Sequence, residues 1–200
     1  MRLAARFALS LTVLASCSGA PVPVWAPDAA VQKYRHVHDG PPEIVLYTVV
    51  SRRSGSGAHS GLLINGRQRI LFDPAGTFSL PFVPERNDVH YGMTDRALAI
   101  YIDYHARETY DLVEHRLPVT RAQADRIAQL AKAYGPVPKA RCSLAITRIL
   151  AQVPGFETIS PGYFPNRLSK AFGRLPGAQS RTVTDDDADQ NEEMLSRFQE

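Results

Sequence analysis

His59-Ser60-Gly61-Leu62-Leu63-Ile64-Asn65-Gly66-Arg67-Gln68-Arg69-Ile70-Leu71-Phe72 consists of two apolar runs joined at an Asn-Gly pair. Asn and Gly tolerate the positive φ angles of a tight turn, so the stretch predicts a β-hairpin. Three more runs of β-branched and aromatic residues, Ile44 to Val50, Ala97 to Tyr104 and Tyr110 to Leu117, predict further strands. Arg52 to Gly57 reads as a flexible Gly/Ser loop. Thr77 to Asp95, broken by Pro81 and Pro84, reads as irregular chain over the surface.

Helical signals follow. Thr120 and Gln123 fit a capping box, Ala124, Ile127, Ala128 and Ala131 give an apolar face, and Gly135-Pro136 stops the helix. Pro138 precedes a second helix from about Ala140 to Gln152, and a short third is expected from Asn166 to Phe172. Strands first and helices last predict an α+β domain, an antiparallel sheet packed by helices, over residues 43–178. Residues 179–200 read as an acidic, flexible tail, and the proline-rich residues 17–42 as a semi-extended tether. His36 and His38 are solvated linker residues in this reading.

The N-terminus begins with Arg2 and Arg6, continues through an apolar run from Phe7 to Val13, and closes on Leu14-Ala15-Ser16-Cys17. That order describes a secretory signal, residues 1–16, too short to span a bilayer. Its end resembles a bacterial lipobox. The resemblance implies cleavage before Cys17, acylation of that residue, and a lipid-anchored protein of the cell envelope. Ser18 after the cysteine implies the periplasmic face of the outer membrane. An ordinary signal peptide cut elsewhere is the alternative.

The formal charge of +3 falls to about +1 once Arg2 and Arg6 are removed, leaving 21 basic against 20 acidic residues. No Lys/Arg block marks a nucleic-acid partner. Two cysteines make neither a disulfide framework nor a zinc spacing, and no phosphate-cradling glycine loop or dinucleotide fingerprint occurs. No metal and no cofactor are expected.

With Cys17 acylated, Cys142 is a lone thiol in an oxidising compartment. It falls in the first turn of an expected helix, where free amides and the helix dipole favour a thiolate and an oxyanion. An inert buried cysteine is the alternative. His59, at the start of a strand beside Ser60-Gly61, has room for a thiolate partner, as in cysteine hydrolases. A third group should orient the imidazole, and the partner strand of the hairpin offers Asp73. A two-residue loop would set His59 opposite Phe72. One extra loop residue, the expected case, sets it opposite Asp73. Asp103, His90 and the carboxylates near Glu114 are the reserves.

His-x-Gly at a strand start, the Asn-Gly hairpin, a Thr-capped helix and then a cysteine-headed helix together resemble the circularly permuted NlpC/P60 superfamily. Its members are papain-like folds in which the histidine strand precedes the nucleophile helix. The likeness runs from about Ile44 to Leu175 and includes Pro161-Gly162-Tyr163-Phe164-Pro165. It implies Cys142 as nucleophile and His59 as base. It also implies a thiol hydrolase acting on peptide or amide bonds of peptidoglycan peptides through an acyl-thioester. A lipid or N-acyl thiol acyltransferase, with an apolar groove beside Cys142, is one alternative. A non-catalytic envelope-binding scaffold, with cysteine and histidine apart, is the other.

Overall fold

The computed structural model describes residues 21–198. The signal peptide, Cys17 and Ser18 lie outside the described residues. Among those described, no helix is long and apolar enough to cross a membrane.

The chain is α+β. In order it forms α1 (Asp28–Lys33), β1 (Glu43–Ser51), β2 (Gly57–Asn65), β3 (Arg69–Phe72), β4 (Glu85–Arg86) and β5 (Val89–His90). It continues through α2 (Asp95–His105), β6 (Tyr110–Pro118), α3 (Arg121–Tyr134), α4 (Cys142–Leu150), α5 (Pro165–Phe172), β7 (Gln179–Val183) and α6 (Asn191–Ser196). The strands make one antiparallel sheet in the order β4-β5-β3-β2-β1-β6-β7.

Period-two alternation sorts the central strands onto two faces. Ile44, Leu46, Leu62 and Ile64 meet Ile127, Ile146, Ile149 and Phe172 from α3, α4 and α5. Val45, Tyr47 and Leu63 meet Phe78, Tyr101 and Met194 on the other side, under α2 and α6. Helices therefore cover both faces, and β1 from Ile44 to Val49 and β2 from Ser60 to Asn65 are buried.

Four expectations are corrected. Ala97 to Tyr104 is helix, within α2, not strand. Thr94 Oγ1 accepts the Ala97 amide at 3.2 Å as an N-cap, and Ala97, Ile100, Tyr101, Tyr104 and His105 form one buried stripe at helical spacing. The tail from Gln179 is not frayed. β7 pairs with β6, the Arg181 guanidinium grips the fully buried Glu114 carboxylate, and α6 buries Met194 and Leu195. Residues 21–42 do not hang free either. The Ala26 amide donates to the Glu85 carbonyl and the Asn87 amide to the Val24 carbonyl, each at 2.9 Å, while Arg86 stacks on Trp25. Finally, Arg52 to Gly57 is a closed turn, with Ser51 N–H on the Ser56 carbonyl and Asn166 holding Gly55.

The hairpin turn has the expected extra residue, but it is centred one position later. Asn65 pairs with Arg69, and Leu62 with Phe72. His59 is therefore not opposite Asp73. A displacement of two residues preserves the face, and that parity is what the site depends on.

Candidate active site

The pairing of β3 with β2 ends at Leu62–Phe72, while on its other side the Asp73 amide donates to the Asp88 carbonyl at 2.8 Å, carrying on the β5 ladder. The edge of β2 at Ser60 is thereby vacated, and the N-terminus of α4 enters there. Cys142 lies close enough to His59 and to the Ser60 and Ser143 amides for each of them to favour its thiolate. The Cys142 residue is only 6% exposed.

His59 stands on the α2 face of the sheet. Its Nε2–H donates to Asp73 Oδ1 at 2.7 Å, leaving Nδ1 as the nitrogen available to the thiol. Asp73 reaches it diagonally across Gly61. A side chain at position 61 would collide with the Tyr101 hydroxyl and crowd Asp73 Oδ1, so glycine there is a requirement of the close approach. The Tyr101 hydroxyl also donates to Asp73 Oδ1, at 2.9 Å. The other oxygen, Oδ2, is buried with no hydrogen-bond partner among the described residues.

His105, one helical turn beyond Tyr101, stacks on His59 with ring centroids 5.7 Å apart and planes 9° from parallel. Its Nδ1–H donates to the Tyr101 carbonyl at 2.9 Å. Burial lowers its pKa to about 4, so at neutral pH it is an uncharged plate behind the reactive imidazole. His59, Asp73 and His105 present donor atoms within 4.8 Å of one another.

Charge is organised around the thiol. Burial opposes ionisation of both His59 and Asp73, but the pair overrides it. The Asp73 carboxylate raises the His59 pKa to about 10, and the imidazolium holds Asp73 well below the usual carboxylate range. At Cys142 burial pushes the thiol up, while the His59 bond and charge and the two amides pull it further down. Each group thus favours the charged form of the other, and the two titrate as a unit.

The helix termini differ in a way that matters. α2 and α3 are capped by Thr94 and Thr120, the latter in the expected capping box. α4 has no side-chain cap, and Ala140 just before it takes φ +62° to turn the chain into the helix. α1, α5 and α6 also lack a side-chain cap, but at α4 the uncapped Cys142 amide adjoins the thiol itself, where an oxyanion would form. A cleft of about 270 Å³ opens beside His59, lined by Val49, Thr77, Tyr104, His105 and Arg107 among others.

The structure brings Cys142, His59 and Asp73 together. Of the reserves, Asp103 pairs with Arg107, Glu114 with Arg181, and His90 packs on Phe78. Sequence reasoning missed three supporting groups. Tyr101 and His105 were hidden by reading α2 as a strand, although their four-residue spacing was visible. Asp88 left no signal. Its carboxylate accepts the Ala75 amide at 3.0 Å and the Val137 amide at 2.7 Å, tying the loop after Asp73 to the approach to Cys142. Three comparisons with known proteins gave nothing to set beside this geometry: no family model, no curated protein and no solved structure matches the chain.

Proposed function

We propose that the chain is a thiol hydrolase of the cell envelope, held at the membrane through an acylated Cys17. In this reading it cleaves peptide or amide bonds in peptidoglycan peptides. The observation that carries the reading is the continuous line Asp73–His59–Cys142 ending at the uncapped start of α4. The chain order, histidine strand before cysteine helix, supports a kinship with the permuted NlpC/P60 group. The contact between imidazole and thiol favours catalysis over a scaffold role.

The Cys142 thiolate attacks the carbonyl carbon, and the amides at the start of α4 receive the oxyanion. As the tetrahedral intermediate collapses, His59 gives its Nδ1 proton to the leaving amine and a thioester remains. Water, deprotonated by the now neutral His59, attacks the thioester. The carboxylic acid leaves and the thiolate–imidazolium pair is restored. Asp73 and Tyr101 keep the ring oriented throughout.

The test uses the full chain with Cys142→Ala and His59→Ala variants, assayed on purified cell-wall peptides and on acyl-lipid substrates. Cys142→Ala should abolish turnover, and His59→Ala should reduce it by roughly 10²–10⁴. Turnover retained in Cys142→Ala would refute the thiol mechanism. Turnover on lipids alone would replace the substrate class and favour the acyltransferase reading.

A further inference from the structure

The end of the sheet remote from Cys142 gathers positive charge. Two adjoining hollows of about 340 and 390 Å³ share Arg35 and Arg67; Lys132 lines the first, and Arg121 and His38 line the second. These cations come from three separate stretches: the segment after α1, the hairpin turn and α3. Two carboxylates stand against the four, Asp125, held by Arg67 at 3.2 Å, and Asp39 beside His38. Nearby Arg116 and Arg69 are cancelled by Glu43 and Asp95. The Lys132 pKa is lowered, first by partial burial and then by Arg35, so a bound anion would relieve repulsion there.

Acids collect at the other end. Arg52 is held between Asp111 and Asp186, and Arg107 between Asp103 and Asp187. The register fixes the opposition: the Glu43 end of β1 adjoins Asn65 and Pro118, whereas Val49 adjoins His59 and Leu112. Strand rise puts roughly 20 Å between those levels. The molecule is thus polarised along its strands, basic at the hairpin tip, acidic and reactive at the His59 end.

We propose that the basic end seats on an anionic phospholipid bilayer, with headgroup phosphates entering the two hollows, so that the His59–Cys142 end points away from the membrane. Guanidinium forks match phosphate oxygens, and each basic side chain near an anionic surface contributes about 1 kcal/mol. Exposed Val37 lines the same hollow and offers an apolar contact at the headgroup boundary. The stretch carrying Arg35, Val37 and His38 also leads back along the chain toward Cys17. This inference is independent of the catalytic reading.

The test uses the full chain with Cys17→Ala, so that no acyl group contributes. Co-sedimentation compares vesicles of mixed phosphatidylglycerol and phosphatidylcholine with vesicles of phosphatidylcholine alone, at low and high salt. Binding should be confined to the anionic vesicles and lost at high salt. Arg35→Glu with Arg67→Glu should weaken it by roughly tenfold or more, and Arg35→Gln with Arg67→Gln should weaken it less. Thermal melting checks that both variants fold. Cys142 should react with a thiol probe equally fast in the bound and free states. Equal binding to both vesicles, or no effect of charge reversal in a folded variant, would overturn the proposal. So would binding to an anionic wall polymer but not to vesicles, or protection of Cys142 on binding.

Discussion

Burial by itself would keep the Cys142 thiol protonated; the His59 contact and two amides reverse that, so pH should act on the pair rather than on either group. Alkylation of Cys142 by a small haloacetamide should reach its plateau at a lower pH than that of an ordinary thiol. In His59→Ala the rate should instead climb toward the ordinary thiol value of 9.0. The His59–Asp73 pair should also shape stability. Asp73 is depressed, so its contribution is complete above the ordinary carboxylate value of 3.8 and is lost in acid. His59 is raised, so its contribution is complete below 6.5 and is lost as pH rises through about 10. Denaturant midpoints in a Cys142→Ala background, where the thiolate does not intrude, should therefore peak between these two ordinary values. A curve that climbs steadily to pH 9 would contradict the assignment. Tyr101→Phe removes a buried bond to a charged acceptor and should cost about 1.5–3 kcal/mol in the same measurement.

At the level of elements, what the sequence disclosed depended on whether the signal was local. The Thr120–Gln123 cap and the Gly135 stop delimit α3 as expected. Asn-Gly marked the hairpin, but the turn's centre was decided by pairing further along, where Asn65 bonds Arg69. α2 was misread because Ile100, Tyr101, Ile102 and Tyr104 have strand-like side chains, while its stripe of burial follows the helical period. The cap was the decisive clue. Thr94→Ala should destabilise the chain by about 1 kcal/mol, and because α2 carries Tyr101 and His105, thiol reactivity should fall with it. Asp88 was illegible for a physical reason: its partners are backbone amides of Ala75 and Val137, which any residue supplies.

For the whole molecule, the two ends of the chain close the two edges of the sheet. β7 is exposed and polar, so no hydrophobic pattern announced it; the buried Glu114 is what selects Arg181. Arg181→Ala should cost about 1–3 kcal/mol by leaving Glu114 underbonded, with the loss read as a lower denaturant midpoint. The opposite edge is closed by Val24 to Asp28 bonding to Glu85, Arg86 and Asn87.

That second closure gives the proposed anchor a mechanical meaning. Among the described residues, tension drawn through Cys17 would first meet a backbone bond to the sheet at Val24 and Asn87. Asn87 precedes Asp88, whose carbonyl and carboxylate hold the loops bearing Asp73 and leading to Cys142. A pull on the membrane attachment is therefore delivered one residue from the clasp that aligns acid, base and thiol. Hydrogen exchange can detect that linkage without any force being applied. In a chain shortened to begin at Ala29, the Ala75 and Val137 amides should exchange faster than in the full chain, while amides in the middle of β1 should keep their protection.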